Sequence, residues 1–154
     1  MNTKIYSEHF GIERAEGSGT LELKWKNPFD RTSVQQKWTQ LEAIDISIEK
    51  WTILRKLFDE GEWVVQSFGT RFCGLCKRNL VPGEVFPECK NCPITITGLG
   101  NNGCADTPYV KFMDVYHATT YTKAEHRELL VYYAHAEVKF LKRVREKWIS
   151  LEQV

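Results

Sequence analysis

The chain of 154 residues lacks long apolar runs, a marked excess of charge of either sign, and internal repeats. Nowhere do about 18 consecutive apolar residues occur, as a membrane-spanning helix needs, and the first residues contain no apolar run of signal-peptide length. With 21 basic and 20 acidic side chains, the net charge of +1 gives no overall attraction to nucleic acid or anionic lipid. We therefore expect a cytoplasmic protein that does not bind membranes.

Apolar residues make up 42% of the chain and aromatic residues 12%, which is enough for a buried core. The length fits one domain, residues 1–154. Changes in pattern divide it into residues 1–45 with a strand and a helix, 46–72 with a helix and connector, 73–109 rich in cysteine, and 122–151 with a long helix. These elements predict an α+β fold: an N-terminal strand or hairpin, two short helices, a zinc-stapled cysteine segment and a long C-terminal helix.

Alternation of apolar and charged residues from Leu21 to Trp25 predicts a half-buried strand. A turn at residues 17–19 predicts that residues 4–13 hold its hairpin partner. Two helices are expected next. The first has a cap at Thr32 or Ser33 and apolar positions at Val34, Trp38 and Leu41. The second has a cap at Asp45 or Ser47 and apolar positions at Ile48, Trp51, Leu54 and Phe58. Gly61 is placed to end the second of them.

A capping box from Thr122 to Glu125 predicts the start of the C-terminal helix. Its apolar seam is broken by Glu137 and consists of Leu130, Ala134, Leu141, Val144, Trp148 and Leu151.

All five cysteines lie between residues 73 and 104, in a segment with little apolar mass of its own. Two Cys-x-x-Cys pairs, twelve residues apart, form the spacing of two metal-binding turns joined by a hairpin. Four thiolates suit structural zinc, with an iron–sulfur cluster as the alternative and metal-free burial as the non-functional interpretation. The predicted ligands are four of Cys73, Cys76, Cys89, Cys92 and Cys104.

No catalytic residues are predicted. Residues 98–103 match G-x-G-x-x-G and residues 94–97 offer a preceding strand, but Pro108 disfavours the helix that should follow. We interpret the glycines as a loop that brings Cys104 to the metal. The four histidines, His9, His117, His126 and His135, share no compact motif with Ser, Asp or Glu, although His117 could replace a thiolate ligand.

Basic residues cluster near the end of the C-terminal helix and are candidate phosphate contacts: Lys139, Lys142, Arg143 and Lys147. The alternative is that they solubilise the helix and complement its dipole. Trp25, Trp63 and Tyr109 lie outside the helical seams and are candidate exposed anchors for a protein partner, although burial is the commoner outcome for each.

The cysteine segment resembles an uncharacterised family of small cysteine-rich proteins from tailed bacteriophages and prophages. The resemblance covers roughly residues 48–143. The matching elements are Cys73-Gly74-Leu75-Cys76, Cys89-Lys90-Asn91-Cys92-Pro93-Ile94, Gly103-Cys104, Thr107-Pro108-Tyr109, a helix at 51–60 and Glu137-x-x-Phe140-Leu141-Lys142. The resemblance implies a metal-stapled fold of phage type and brings no activity with it. We therefore expect a zinc-stabilised, non-catalytic protein that binds another protein, such as a host factor, with nucleic-acid binding through the basic helix as the alternative.

The purified protein should contain about one zinc ion per chain, because the cysteine segment lacks the apolar mass to hold itself together. Elemental analysis measures this, and the Cys73→Ser, Cys76→Ser double variant should lose the metal. Iron with visible absorbance would identify a cluster instead. Absence of both metals would contradict the prediction.

Overall fold

The computed structural model describes residues 4–5, 9–14, 16–17, 19–25, 38–65, 92–100, 107–118 and 122–153. Within them the chain is α+β, as predicted, with a four-stranded sheet and helices that include a long C-terminal one.

The sheet is built from strands β1 (Lys4–Ile5), β2 (Phe10–Arg14), β3 (Leu21–Trp25) and β4 (Val64–Val65), which lie in that order. The first two pairings are antiparallel, and β4 joins β3 in parallel. Gly17 and Gly19, in the turn between β2 and β3, have φ of 78° and 72°, a region that glycine adopts without steric cost. The predicted strand and its hairpin partner are both confirmed.

One face of the hairpin is buried, and the other carries charge. Phe10 and Trp25 are opposite each other in the register and stack with ring centroids 4.6 Å apart. On the outer face, the Lys24 ammonium lies 2.6 Å from the Glu13 carboxylate. This segregation follows from the period of two that the sequence shows from Leu21 to Trp25.

Helix α1 spans Gln40–Asp59, so the second predicted helix forms but, at 20 residues, is longer than predicted and starts before its predicted caps. Its cap is Thr39, in a capping box with Glu42, and not Asp45 or Ser47. The Ser47 hydroxyl donates to the Ala43 carbonyl within the helix, and Asp45 accepts from Arg145. The expected helix at Val34 with its caps at Thr32 or Ser33 lies outside the described residues, and Trp38 precedes α1.

The end of α1 is at the predicted glycine. Gly61 has φ of 89° and its N–H donates to the Phe58 carbonyl, while the Glu62 N–H donates to the Leu57 carbonyl. These two bonds form a Schellman motif, which requires a left-handed residue at this position.

Two helices follow that the sequence did not predict. Helix α2 (Pro93–Ile96) forms where the sequence also allows a strand, and helix α3 (Pro108–His117) begins at the proline that is predicted to disfavour a helix. Each proline occupies the first turn, where its missing N–H would have no partner in the helix. The objection to Pro108 therefore applies to a helix interior and not to a helix start.

The C-terminal helix, α4, spans Lys123–Glu152 and starts with the predicted capping box of Thr122 and Glu125. It runs antiparallel to α1, since Asp45 near the start of α1 bonds Arg145, and Gly61 after α1 lies against Arg127. Of the predicted seam, Leu151 is exposed and Trp148 half-buried. The buried positions are Leu130, Ala134, Leu141 and Val144. Among the described residues, no helix has the length and apolarity to cross a membrane.

Glu137, the polar residue in that seam, is only 3% exposed. Its carboxylate accepts a hydrogen bond of 2.9 Å from the backbone N–H of Tyr109, in the first turn of α3. A carboxylate at a helix start satisfies an N–H that has no partner in the helix and complements the helix dipole. Glu137 therefore fixes the start of α3 against α4.

Replacing Glu137 with Ala should lower the free energy of unfolding by about 1–3 kcal/mol, because the partly buried Tyr109 N–H loses its acceptor. Glu137→Gln should cost less, since the amide oxygen can still accept. Urea denaturation measures both changes, and Glu128→Gln, at an exposed position of the same helix, should change stability by no more than about 0.5 kcal/mol. Equal free energies of unfolding for wild type and Glu137→Ala would contradict this capping role.

Candidate functional site

Of the five predicted metal ligands, the structure describes Cys92, which is buried and immediately precedes α2. Its carbonyl accepts from the backbone N–H groups of Thr95 and Ile96. The other four, Cys73, Cys76, Cys89 and Cys104, lie outside the described residues. Within the described part of the chain, no group of three or more His, Cys, Asp or Glu side chains is placed to hold a metal ion. The zinc site stays a prediction.

The four predicted basic residues on α4, namely Lys139, Lys142, Arg143 and Lys147, are all exposed. Arg145, which lies among them in sequence, is instead engaged by Asp45 of α1, with 2.7 Å between Arg145 Nε and the carboxylate. The remaining charges form a basic surface on α4, and we call those four residues the basic face.

The pKa of a histidine near this face is affected by its charge. The His135 ring is half-buried, and its Nδ1 has no hydrogen-bond partner among the described residues. Burial lowers the pKa of His135 below its usual value, and the positive charges of Arg55, Lys139 and Lys142 lower it further. Because Arg55 belongs to α1, the positive potential extends over two helices.

The three aromatic residues considered as exposed anchors have different environments. Trp25 is 2% exposed and lies in the core, so it is not a surface anchor. Tyr109 is half-buried, with its ring edge-on to Trp51 at a centroid distance of 5.9 Å. Trp63 is also half-buried and lines a cavity, where a ligand could reach it.

The most exposed large hydrophobic side chain among the described residues is one that sequence reasoning passed over. Tyr132, on α4, is 66% exposed and stands edge-on to Tyr133, with ring centroids 5.2 Å apart. A shallow groove beside it is lined by Glu125, Glu128, Leu129 and Tyr132, which we call the Tyr132 patch. Tyr132 lies on the side of α4 opposite the apolar seam, and this position in the helical pattern is the sequence signal that predicts its exposure.

A separate cavity of about 500 Å³ lies where the end of α1 meets the start of α4. We call it the Trp63 cavity. It is lined by Phe58, Gly61, Glu62, Trp63, Lys123, His126 and Arg127. No sequence motif could have revealed it, because its two groups of residues are about sixty positions apart and only helix packing joins them.

The aromatic wall of this cavity is closely fixed. Trp63 stacks on Tyr116, with centroids 5.2 Å apart and planes 13° apart, and makes T-shaped contacts with Phe58 and His126. The Tyr116 hydroxyl donates to the Val64 carbonyl at 3.0 Å. Burial raises the pKa of Tyr116, and a hydrogen bond with Trp63 opposes the rise, so the hydroxyl stays protonated at neutral pH.

Replacing both Lys139 and Lys142 with Gln should raise the pKa of His135, because two charges that disfavour the protonated ring are removed. An NMR titration of the His135 ring protons measures this. Lys147→Gln is the matched control and should leave the pKa unchanged, since Lys147 is not among the charges that depress it. If the double variant titrates like wild type, the two lysines do not lower the pKa, and burial and Arg55 account for it.

Comparison with known proteins places the chain in no family: no protein-family model, no curated protein and no solved structure matches it.

Proposed function

We propose that this protein is a non-catalytic binding protein of the cytoplasm, and that its partner is another protein, which it engages through the Tyr132 patch. The resemblance of its cysteine segment to phage proteins favours a host protein as that partner. The observation that carries the proposal is the 66% exposure of Tyr132 on a 30-residue helix.

A tyrosine on a rigid helix is well suited to anchor an interface. It offers a large, partly apolar contact area with two side-chain torsions to immobilise, which keeps the entropic cost of binding low. Such aromatic residues are enriched among the few that dominate binding free energy. Leu129 beside it supplies further apolar surface, and the groove gives a partner side chain room to enter.

The charge around Tyr132 defines the chemistry of the partner. Glu125 and Glu128 are both exposed and line the groove. Neither of their carboxylates is paired with a cation among the described residues; Glu125 accepts from the Thr122 N–H. Complementary charge steers partners and excludes wrong ones. We therefore expect the partner to present an apolar side chain flanked by Lys or Arg.

The proposed zinc ion acts as a structural staple in this interpretation. Four thiolates around one ion complete its coordination and leave no position for a reacting water. Four of the five cysteines, Cys73, Cys76, Cys89, Cys92 and Cys104, would hold it, with an iron–sulfur cluster as the alternative. The segment of residues 73–109 would then depend on metal for its fold.

Nucleic-acid binding is the second candidate, and one observation favours it. The charge of Arg55 on α1 acts on His135 together with those of Lys139 and Lys142, so positive charge from a second helix adjoins the basic face. Exposed Lys and Arg side chains at this density can contact several phosphates. The total charge of +1 limits the attraction to this local surface.

Replacing Tyr132 with a photocrosslinking p-benzoylphenylalanine should trap the partner in host lysate, and mass spectrometry then identifies it. For the purified partner, Tyr132→Ser should weaken binding by at least about 2 kcal/mol, or about thirtyfold in Kd, because an interface anchor is lost. Leu151→Ser, which alters another exposed apolar side chain of α4, is the matched control and should change the Kd by less than about twofold.

Nucleic-acid binding, the second candidate function, predicts different results. If nuclease treatment removes the captured proteins, and changing Lys139, Arg143 and Lys147 together to Glu abolishes a salt-dependent shift of DNA or RNA, the protein-partner proposal is wrong. A Tyr132→Ser variant that binds the identified partner like wild type would also contradict it.

A further inference from the structure

The Trp63 cavity combines an aromatic wall with unpaired positive charge, and neither the basic face nor the Tyr132 patch shares a residue with it. Its volume of about 500 Å³ lies within the range of pockets that enclose small molecules. The residues that decide its chemistry are Phe58, Glu62, Trp63, Lys123, His126 and Arg127.

The wall is preorganised. The Trp63 backbone carbonyl accepts from the Leu21 N–H at 2.9 Å, and Tyr116 stacks against the indole. Phe58, fully buried in the core, fixes the indole from its edge. Trp63 is nevertheless half-buried rather than enclosed, so part of the indole is open to the cavity. An immobile aromatic surface of this kind favours a planar ring, since little side-chain entropy is lost on binding.

The charge of the cavity is positive. Lys123 and Arg127 are exposed, lie one turn apart on α4, and make no ion pair within the described residues. The acidic residue of the lining, Glu62, is already engaged by Arg14, whose two terminal nitrogens lie 3.0 and 3.4 Å from the carboxylate oxygens. Two cations therefore remain available for an anion.

The arrangement of the two cations suits one compact anionic group. The Arg127 guanidinium lies near Gly61, 3.8 Å from where a Cβ atom would stand, which places it over the end of α1. A guanidinium binds phosphate or carboxylate with two parallel hydrogen bonds, and a nearby ammonium adds a point charge. His126 is held by a hydrogen bond between its Nε2 and the Val115 carbonyl, so it bounds the site rather than moving into it.

We propose that the Trp63 cavity binds a small molecule in which a planar aromatic ring carries one phosphate or carboxylate group, the chemistry shared by nucleoside monophosphates and aromatic carboxylates. The ring packs against Trp63, and the anion is held by Arg127 and Lys123. The two positive charges of Lys123 and Arg127 match the charge of one such group better than they match the larger negative charge of a triphosphate.

Isothermal titration of the full chain with adenosine monophosphate and with phenylacetate tests this and distinguishes the two sources. At least one should bind with a Kd below about 1 mM. Adenosine and inorganic phosphate, which each supply half of the chemistry, should bind at least about tenfold more weakly. The indole N–H resonance of Trp63, assigned by its loss in Trp63→Phe, should shift on binding.

Changing Lys123 and Arg127 together to Gln should weaken binding at least about tenfold, because charge-assisted hydrogen bonds are lost. Lys56→Gln with Lys111→Gln removes the same charge at exposed positions of α1 and α3 that line neither the cavity nor the basic face, and binding should stay within about twofold of wild type. Both pairs are exposed, so folding is retained. The proposal fails if neither probe binds, if adenosine or phosphate alone binds as tightly, or if the two double variants weaken binding equally. Tyr132→Ser should leave binding of the small molecule unchanged, so the outcome of this test is independent of the protein-partner test.

Discussion

The antiparallel packing of α1 on α4 is the interaction on which the rest of the described structure depends. Both helices bury fully enclosed aliphatic and aromatic side chains along their shared face, with Leu54 and Phe58 from α1 and Leu130 and Val144 from α4. Contacts at the two ends, Asp45 with Arg145 and Gly61 with Arg127, fix the register of one helix on the other. At about 1.5 Å of rise per residue, this pairing extends over roughly 25 Å.

The sheet and α3 are attached to this pair by polar bonds as well as by apolar burial. The backbone of Trp63, just beyond α1, bonds to Leu21 and so aligns the start of β3. The Tyr116 hydroxyl bonds to Val64, and the Glu137 carboxylate bonds to the start of α3. Buried polar groups such as these must find partners, and each satisfied bond therefore selects one relative placement of the elements.

One helix, α4, carries residues of all three candidate binding surfaces. The Trp63 cavity and the Tyr132 patch both use its N-terminal third but lie on different sides of the helix, and the basic face lies in its C-terminal half. The period of 3.6 residues separates the first two in angle, and the length of 30 residues separates the basic face from both along the axis. The different chemistry of each surface allows the proposals to be tested by separate substitutions.

Local patterns determined much of this fold. The alternation from Leu21 to Trp25, the capping box at Thr122 and the helix end at Gly61 each depend on contacts within a few residues, so sequence alone predicts them. The sequence does not predict α3, because proline is disfavoured in a helix interior although it is tolerated at a helix start. It also places the start of α1 too late, because Asp45 and Ser47 match the preferences of helix caps. In the structure their side chains have other partners, one on α4 and one within α1.

The sequence by itself therefore determined the α+β class, the inward face of the hairpin, the limits of the long helix and the presence of a basic cluster. Tertiary structure alone decided that Trp25 is buried while Tyr132 is exposed, and that Arg55 of α1 acts on His135 together with Lys139 and Lys142 of α4. It also decided that residues 58–63 and 123–127 enclose one cavity. The physical reason is that burial and electrostatic neighbourhood are set by which elements pack together, and residues far apart in sequence carry no local pattern that encodes their contact.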